Sequence, residues 1–194
     1  MKSLNKLAVL TAVLALSASA FAAPIAGTLV YDSGVQTVTG QSTFTAIAES
    51  FAFTDLSNAF AGCNNDCLTF GVLVQDGTGN SIERITYGAF TGFLSQAGFV
   101  NIGGIAPTSI TGNLNGGYDF NFATGLGNGS TSDFLYVQTN AKSFTLGTIG
   151  VIDNSAGSAT APIPATPEPS SLMLMGSGLV SAAGMFLRRR RVNA

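Results

Sequence analysis

The chain contains no histidine and no tryptophan, and only 9% of its residues are charged. Without histidine, the usual general base of serine and cysteine nucleophile schemes is missing. A pair of carboxylates of the glycosidase kind remains open, because its two members can lie far apart in sequence. Most of the aspartates of the central domain lie in turn-like contexts, where aspartate is common for backbone reasons alone, so the sequence singles out no such pair. We therefore name no catalytic residue and expect a protein that is not an enzyme, with a secreted glycan-active enzyme as the alternative.

Basic residues are almost absent from the central part of the chain. Between residues 23 and 166 only Arg84 and Lys142 are basic, against nine acidic residues, so this part has a net charge of about −7. A nucleic-acid partner demands a basic face, and the composition therefore excludes one. An acidic domain of this kind is compatible with simple solubility or with divalent cations.

Residues 1–22 have the organisation of a secretory signal peptide. Lys2 and Lys6 precede a short apolar run, and Ala20-Phe21-Ala22 supplies the small-x-small pattern before a cleavage point. We predict cleavage between Ala22 and Ala23, with cleavage after Ala20 as the second choice. A retained N-terminal anchor is the alternative, which the short apolar core disfavours.

Residues 170–187 carry no charge and are predicted to cross a membrane as a single helix. Eighteen helical residues rise about 27 Å, close to the roughly 30 Å hydrocarbon core of a bilayer. The cluster Arg188, Arg189, Arg190 and Arg191 follows directly. By the positive-inside rule it places residues 188–194 in the cytoplasm and the preceding domain outside. Serines within the run make the span marginal, and a permanent anchor is one alternative for its role.

The segment Pro167-Glu168-Pro169 precedes this apolar run. Its two prolines keep the backbone extended and deny it helical hydrogen bonds, so residues 159–169 are predicted to form a stiff, exposed linker. Pro-Glu-Pro, an apolar helix and an arginine cluster, in this order, resemble the PEP-CTERM sorting domain of Gram-negative bacteria. The resemblance covers about residues 166–191, with Thr166 where the family often has valine. It implies recognition by an exosortase, a membrane-embedded processing enzyme of bacteria that make extracellular polysaccharide.

Residues 23–158 are predicted to form one all-β domain, a β-sandwich of jelly-roll type. Period-two alternation, abundant glycine-rich turns and the lack of a long amphipathic helix favour this fold. Short helices across Ala46–Phe53 or within Ala89–Ala97 are left open. The run Leu68–Gln75 and the run Ser81–Tyr87, joined by a glycine-rich loop, predict a hairpin. The other predicted strands are Thr28–Tyr31, Val35–Thr39, Thr43–Ile47, Ser50–Thr54, Gly98–Ile102, Thr108–Leu114, Tyr118–Ala123, Phe134–Thr139 and Ser143–Ile152.

Cys63 and Cys67 flank a polar tripeptide in this exported part. Two cysteines in an oxidising compartment, four residues apart, predict a local disulfide that fixes the shape of a loop. A metal site would need more ligands, and the spacing differs from the Cys-x-x-Cys of redox motifs.

Asp76, Thr78 and Asn80, followed by Glu83, are arranged like the beginning of a calcium loop. The sixth position of an EF-hand loop is glycine and the twelfth a bidentate glutamate. Because these positions hold Ser81 and Tyr87 here, a turn without metal explains the same residues, and we expect no cofactor, with Ca²⁺ as the one candidate. Ligands assembled from separate loops, such as Asp119 with Asp133, are not decided by the sequence.

Taken with the resemblance, these features predict an exported surface or matrix protein, held by its helix as an inner-membrane intermediate until the tail is processed. A structural or glycan-binding role in extracellular polysaccharide is what the resemblance implies. Carbohydrate-binding proteins present exposed aromatic rings, and Tyr87, Tyr118 and Tyr136 are the candidates.

Overall fold

The computed structural model describes residues 27–41, 44–55, 58, 60 and 62–165. Within these residues the chain is all-β, and no helix there is long and apolar enough to cross a membrane. The predicted signal peptide, its cleavage site, the Pro-Glu-Pro motif, the predicted helix at 170–187 and the arginine cluster lie outside the described residues. The strands are β1 (Gly27–Asp32), β2 (Gln36–Gly40), β3 (Phe44–Asp55), β4 (Leu68–Gly79), β5 (Ile82–Tyr87), β6 (Ser95–Val100), β7 (Ser109–Gly112), β8 (Tyr118–Leu126), β9 (Phe134–Thr139), β10 (Phe144–Asp153) and β11 (Ser155–Pro164).

The strands form two antiparallel sheets. Sheet A has the order β1-β3-β4-β9-β6. β1 and β2 both pair with the same edge of β3, β2 with its first half and β1 with its second half. Sheet B has the order β11-β10-β5-β8-β7. The predicted all-β sandwich is confirmed at this level, and its jelly-roll topology stays a prediction.

The main core lies between the two sheets. Phe70, Val72 and Val74 of β4 share one buried cluster with Ile85 and Ile149 of sheet B, and all five are 0% exposed. Burying each such side chain contributes roughly 1.5–3 kcal/mol relative to leaving it in water. The alternating residues Phe70, Val72 and Val74 of β4 therefore face sheet B, as the period-two pattern of the sequence predicts.

The opposite face of sheet A carries a second, smaller core. Phe51, Phe53, Leu73 and Phe134 form it, and Val100, Ile102 and Tyr136 pack against it. The segment after β6 thus covers part of the outer face of the sheet. β4 is buried on both faces, and its pairing with β3 and β9 places it in the middle of sheet A.

The hairpin predicted from β4 and β5 is wrong. β4 pairs with β3 and β9 in sheet A, whereas β5 pairs with β10 and β8 in sheet B, so the connection between them crosses from one sheet to the other. The glycine-rich segment Asp76–Gly79 belongs to β4 and pairs with the start of β3. The two helices left open are absent as well: Ala46–Phe53 lies within β3, and Ala89–Ala97 contains a turn and the start of β6.

The boundary predicted between sandwich and linker at residues 158 and 159 is also wrong, because β11 continues to Pro164. β11 is an edge strand that pairs with β10 along its whole length. The backbone N–H of Thr160 points away from β10, since it donates to the side chain of Gln36. By alternation, Pro162 and Pro164 are positions where the N–H would face the open edge, so a residue without an N–H fits there.

Candidate functional site

The sequence motif of the tail begins immediately after the last strand of the fold. The backbone N–H of Ala165 donates to the carbonyl of Ser143 at 3.0 Å, and the buried hydroxyl of Tyr87 donates to the carbonyl of Pro162. Two residues, Ala165 and Thr166, separate the end of β11 from Pro167. The motif therefore follows the edge strand of sheet B in the sequence with only two residues between them.

Tyr87 is not the exposed aromatic that carbohydrate binding requires. Its ring is 0% exposed and lies edge-on to Phe90, with ring centroids 5.3 Å apart. Burial raises the pKa of its hydroxyl well above the usual value, so the group stays neutral and serves as a donor. Tyr87 thus fastens β11 from within the core.

Tyr118 and Tyr136 are each partly exposed, on different sheets. Tyr118 lines a cavity of about 320 Å³ between the segment after β5 and the β7–β8 turn. Its hydroxyl donates to the carbonyl of Ser95 at 2.8 Å, and Asn113 in the same cavity holds the turn by accepting from the N–H groups of Asn115 and Gly117. Aromatic side chains, Tyr118 among them, line the cavity together with glycines and a few polar side chains, so it offers a ring and polar groups to a ligand.

Glu49 lies on the outer face of sheet A and is only 6% exposed. Burial, with a smaller contribution from the nearby charge of Asp32, raises the pKa of its carboxyl to about 7. Asp32 accepts a hydrogen bond from the N–H of Gly34 at 2.7 Å. A carboxyl with a pKa near neutrality can exchange its proton at physiological pH, which is one requirement of general acid catalysis.

Three other buried carboxylates hold backbone or side-chain donors. Asp55 accepts from Thr69 at 2.7 Å and from Gln138 at 2.8 Å. These contacts join the neighbouring strands β3, β4 and β9 of sheet A, which is a structural role.

Asp133 and Asp153 act in the same way on loops. One oxygen of Asp133 accepts from the N–H groups of Ile102 and Gly104, which ties the segment after β6 to the start of β9. One oxygen of Asp153, the last residue of β10, accepts from the N–H of Ser155, the first residue of β11. The grouping of Asp119 with Asp133 finds no support, because Asp119 of β8 instead accepts from Asn113 in the β7–β8 turn.

The residues of the proposed calcium loop point in different directions. Asp76 is buried, whereas Thr78, Asn80 and Glu83 are exposed. The hydroxyl of Thr78 bonds that of Thr45 across the strand pair at 2.8 Å. The described part of the chain brings no three His, Cys, Asp or Glu side chains together as a metal site.

The predicted disulfide between Cys63 and Cys67 is present, with Cα atoms 5.3 Å apart. It closes the loop between β3 and β4, where Cys67 is fully buried and its carbonyl accepts from the N–H of Asp55 at 3.1 Å. Lys142 bonds the exposed Asp66 of this loop at 2.7 Å. The predicted local disulfide is thus present, and the contacts of Asp55 and Lys142 hold its loop against the end of the sandwich.

The buried carboxylates are the features that the strand pattern alone missed. Asp76 and Asp153 do follow inward-facing valines two residues earlier, so alternation carried a signal for them. Glu49 had no such signal, because it lies on the face of β3 opposite to the inward-facing Ala46 and Ala48.

Comparison with known proteins identifies the tail. The family model described as the PEP-CTERM protein-sorting motif matches residues 165–191. No curated protein and no solved structure matches the chain. The chain therefore carries a PEP-CTERM sorting motif, which implies export and processing by exosortase, a membrane enzyme. The residues that make the motif lie almost wholly outside the described part, directly after Ala165.

Proposed function

We propose that this protein acts outside the cell, as a structural or glycan-binding component of the surface or of an extracellular polysaccharide matrix. The observation that carries the proposal is the PEP-CTERM sorting motif at residues 165–191. In this proposal a signal peptide at residues 1–22 directs export. The apolar run at residues 170–187 and the four arginines after it hold an inner-membrane intermediate until exosortase processes the tail.

The fold agrees with a role outside the cell. The sandwich ends at Pro164, so processing near Pro167 would release it with both sheets complete. The Cys63–Cys67 disulfide suits an oxidising compartment. We propose that glycan contact occurs at the cavity beside Tyr118, which is lined by aromatic and polar side chains.

The test is the mass and location of the native protein in a polysaccharide-producing host. We expect a species that begins near Ala23, ends near Pro167 and is recovered outside the inner membrane. Replacing Pro167, Glu168 and Pro169 by alanine should keep the tail and trap the protein in the membrane. Asn128→Ala, in an exposed loop, is the control and should be processed normally.

Retention of Arg188 through Arg191 in the wild-type protein would overturn the processing step. The protein would then be a permanently anchored envelope protein. If processing is observed, co-sedimentation of the released protein with the host's own polysaccharide separates the glycan-binding role from the structural one.

The second candidate is a secreted glycan-active enzyme, and Glu49 favours it. Its raised pKa suits a general acid, with Asp32 as the second carboxylate. Release of reducing ends from the host polysaccharide would support this candidate, provided that Glu49→Gln abolishes the release and Glu83→Gln, at an exposed carboxylate, leaves it unchanged. Absence of release by the wild-type protein would exclude it for that substrate.

A further inference from the structure

The exported part of the chain has very few cations to balance its buried acids. Arg84 and Lys142 are its only basic residues. Lys142 bonds the exposed Asp66. Arg84 is adjacent to the core residue Ile85 on β5 and so lies on the outer face of sheet B. Among the described residues neither forms a salt bridge with Asp76.

Asp76 differs from the other buried aspartates in having no donor. Asp55, Asp133 and Asp153 each accept the hydrogen bonds given above. Asp76 is 1% exposed, and neither of its carboxylate oxygens has a hydrogen-bond partner among the described residues. A buried, unpartnered carboxylate is costly, because burial removes its water without replacing it. A group in this state indicates a ligand or a bound proton.

Asp76 and Asp153 project into the same interior space from opposite sheets. On β4, Asp76 follows the core residues Val72 and Val74, and its partner across the ladder, Ala46, is a core residue too. On β10, Asp153 follows the core residue Val151 in the same alternation. Both carboxylates thus extend the inward-facing rows at one end of the sandwich.

The charges of the two groups interact. Burial raises the pKa of Asp76, the N–H of Gly77 offsets part of this rise without reaching hydrogen-bond geometry, and the carboxylate of Asp153 raises it further. Two like charges in a buried space are relieved by a proton or by a cation between them.

We infer that a divalent cation, Ca²⁺ by its preference for oxygen ligands, binds between Asp76 and Asp153 and joins the ends of the two sheets. The site differs from the calcium loop suggested by the sequence, because Thr78, Asn80 and Glu83 take no part in it. Two carboxylates are few for calcium, so water and backbone carbonyls complete the coordination. We place the site in the weak class of extracellular modules, with a Kd on the order of 1 mM. Joining β4 to β10 in this way makes the stability of the exported domain depend on the calcium of its surroundings.

The experiment measures thermal unfolding of the full chain in detergent with 0 to 10 mM CaCl₂. At 10 mM a site with a Kd near 1 mM multiplies the folding equilibrium constant by about 11, which gives a clear rise in Tm. The same concentration of MgCl₂ should have a smaller effect, since Mg²⁺ loses its water reluctantly. KCl at matched ionic strength controls for screening.

Asp76→Asn should abolish the response to calcium, and Glu83→Gln, the matched exposed control, should keep it. Asp153→Asn is measured in parallel, so that a folding defect in one variant leaves the other to decide. A wild-type protein whose Tm does not respond to calcium overturns the inference, as does a folded Asp76→Asn or Asp153→Asn variant that retains the full response. In either case Asp76 is a buried acid that is held neutral by a proton.

Discussion

The side chain of Gln36 on β2 pairs with the backbone of Thr160 on β11. Its amide nitrogen donates to the carbonyl of Thr160 at 2.7 Å, and its amide oxygen accepts from the N–H of Thr160 at 2.9 Å. β2 lies on the edge of sheet A and β11 on the edge of sheet B. The side-chain amide of Gln36 therefore makes the two hydrogen bonds that a neighbouring strand would make to Thr160, and it links the edges of the two sheets.

Close packing supports this closure. A Cβ atom built on Gly157 of β11 would lie 2.6 Å from a methyl carbon of Val38 and 3.1 Å from the carbonyl of Thr39, both on β2. The backbones approach so closely only because β11 has glycine at this position. An unprotected edge strand invites pairing with other chains, and this arrangement protects part of it.

We expect Gln36→Leu to destabilise the protein by about 1–2 kcal/mol. The change removes two hydrogen bonds worth about 1 kcal/mol each, while the hydroxyl of Ser50 still donates to the carbonyl of Thr160 at 3.0 Å. Urea unfolding followed by circular dichroism measures the change, since the chain has no tryptophan. Gln96→Leu, at an exposed position of β6, should change the free energy of unfolding by less than about 0.5 kcal/mol. Equal effects of the two substitutions would refute a specific role for Gln36.

A second contact fastens the C-terminal end of β11, and Tyr87→Phe tests it. The substitution keeps the ring against Phe90 but removes the donor to the buried carbonyl of Pro162. A buried acceptor without a donor costs about 1–3 kcal/mol, so we expect a loss of stability in this range. Hydrogen exchange should increase at the ends of β10 and β11 next to Pro162 more than in sheet A. A uniform increase across both sheets would show that the contact does not act locally.

The pKa of Glu49 gives the protein a pH dependence of defined sign. An unfolded glutamate has a pKa of 4.5, whereas that of Glu49 is about 7, so the folded state binds more protons between these values. The free energy of unfolding should therefore fall as the pH rises from about 4.5 to about 7. Asp76, whose pKa is also raised, contributes in the same direction.

Glu49→Gln isolates this contribution, because an amide stays neutral at every pH. Urea unfolding at several values between pH 4 and pH 8 should give a flatter curve for this variant, with a residual slope from Asp76. The exposed control Glu83→Gln should follow the wild-type curve. A slope that is unchanged in Glu49→Gln would mean that Glu49 ionises normally in the folded protein.

The sequence predicted those features of the fold that are determined within one short segment, and it failed for those that depend on pairing between segments. Alternation such as that of Phe70, Val72 and Val74 is set by the strand itself, so most strands were placed correctly. β11 was missed because its small residues and two prolines resemble a linker, and its strand character comes from pairing with β10 and from its edge position. The partners of β4 and β5 were not predicted because both segments show the same period-two alternation. Alternation identifies a strand but does not say which other strand pairs with it.

The candidate sites show the same division. The Cys63–Cys67 disulfide and the sorting motif are encoded in short contiguous segments, so they could be found in the sequence. The burial of Glu49 and the proposed site of Asp76 and Asp153 depend instead on residues from different strands or sheets. Such contacts exist only once the sheets are stacked.

The distance between the fold and the sorting motif leads to the last prediction. Thr166 and Ala165 are the only residues between β11 and Pro167, and the apolar run begins at Ser170. Six residues from Pro164 to Ser170 span at most about 22 Å, so a membrane-held precursor would keep the edge of sheet B close to the bilayer. A membrane enzyme then has to approach the motif against a folded domain.

We expect a flexible insert between Ala165 and Thr166 to speed processing. Eight Gly/Ser residues add a mean reach of roughly 15 Å, which moves the domain away from the motif without changing the motif itself. Pulse-labelling of the protein in its host and the half-life of the unprocessed form measure the effect, and we expect this half-life to shorten several-fold. The same insert placed after Gly129, in an exposed loop that is distant from the motif in the sequence, should leave the half-life unchanged. If the insert at residue 165 has no effect, crowding by the domain does not limit the enzyme. If it slows processing, the enzyme requires the short spacing, and the end of β11 would then be part of what it recognises.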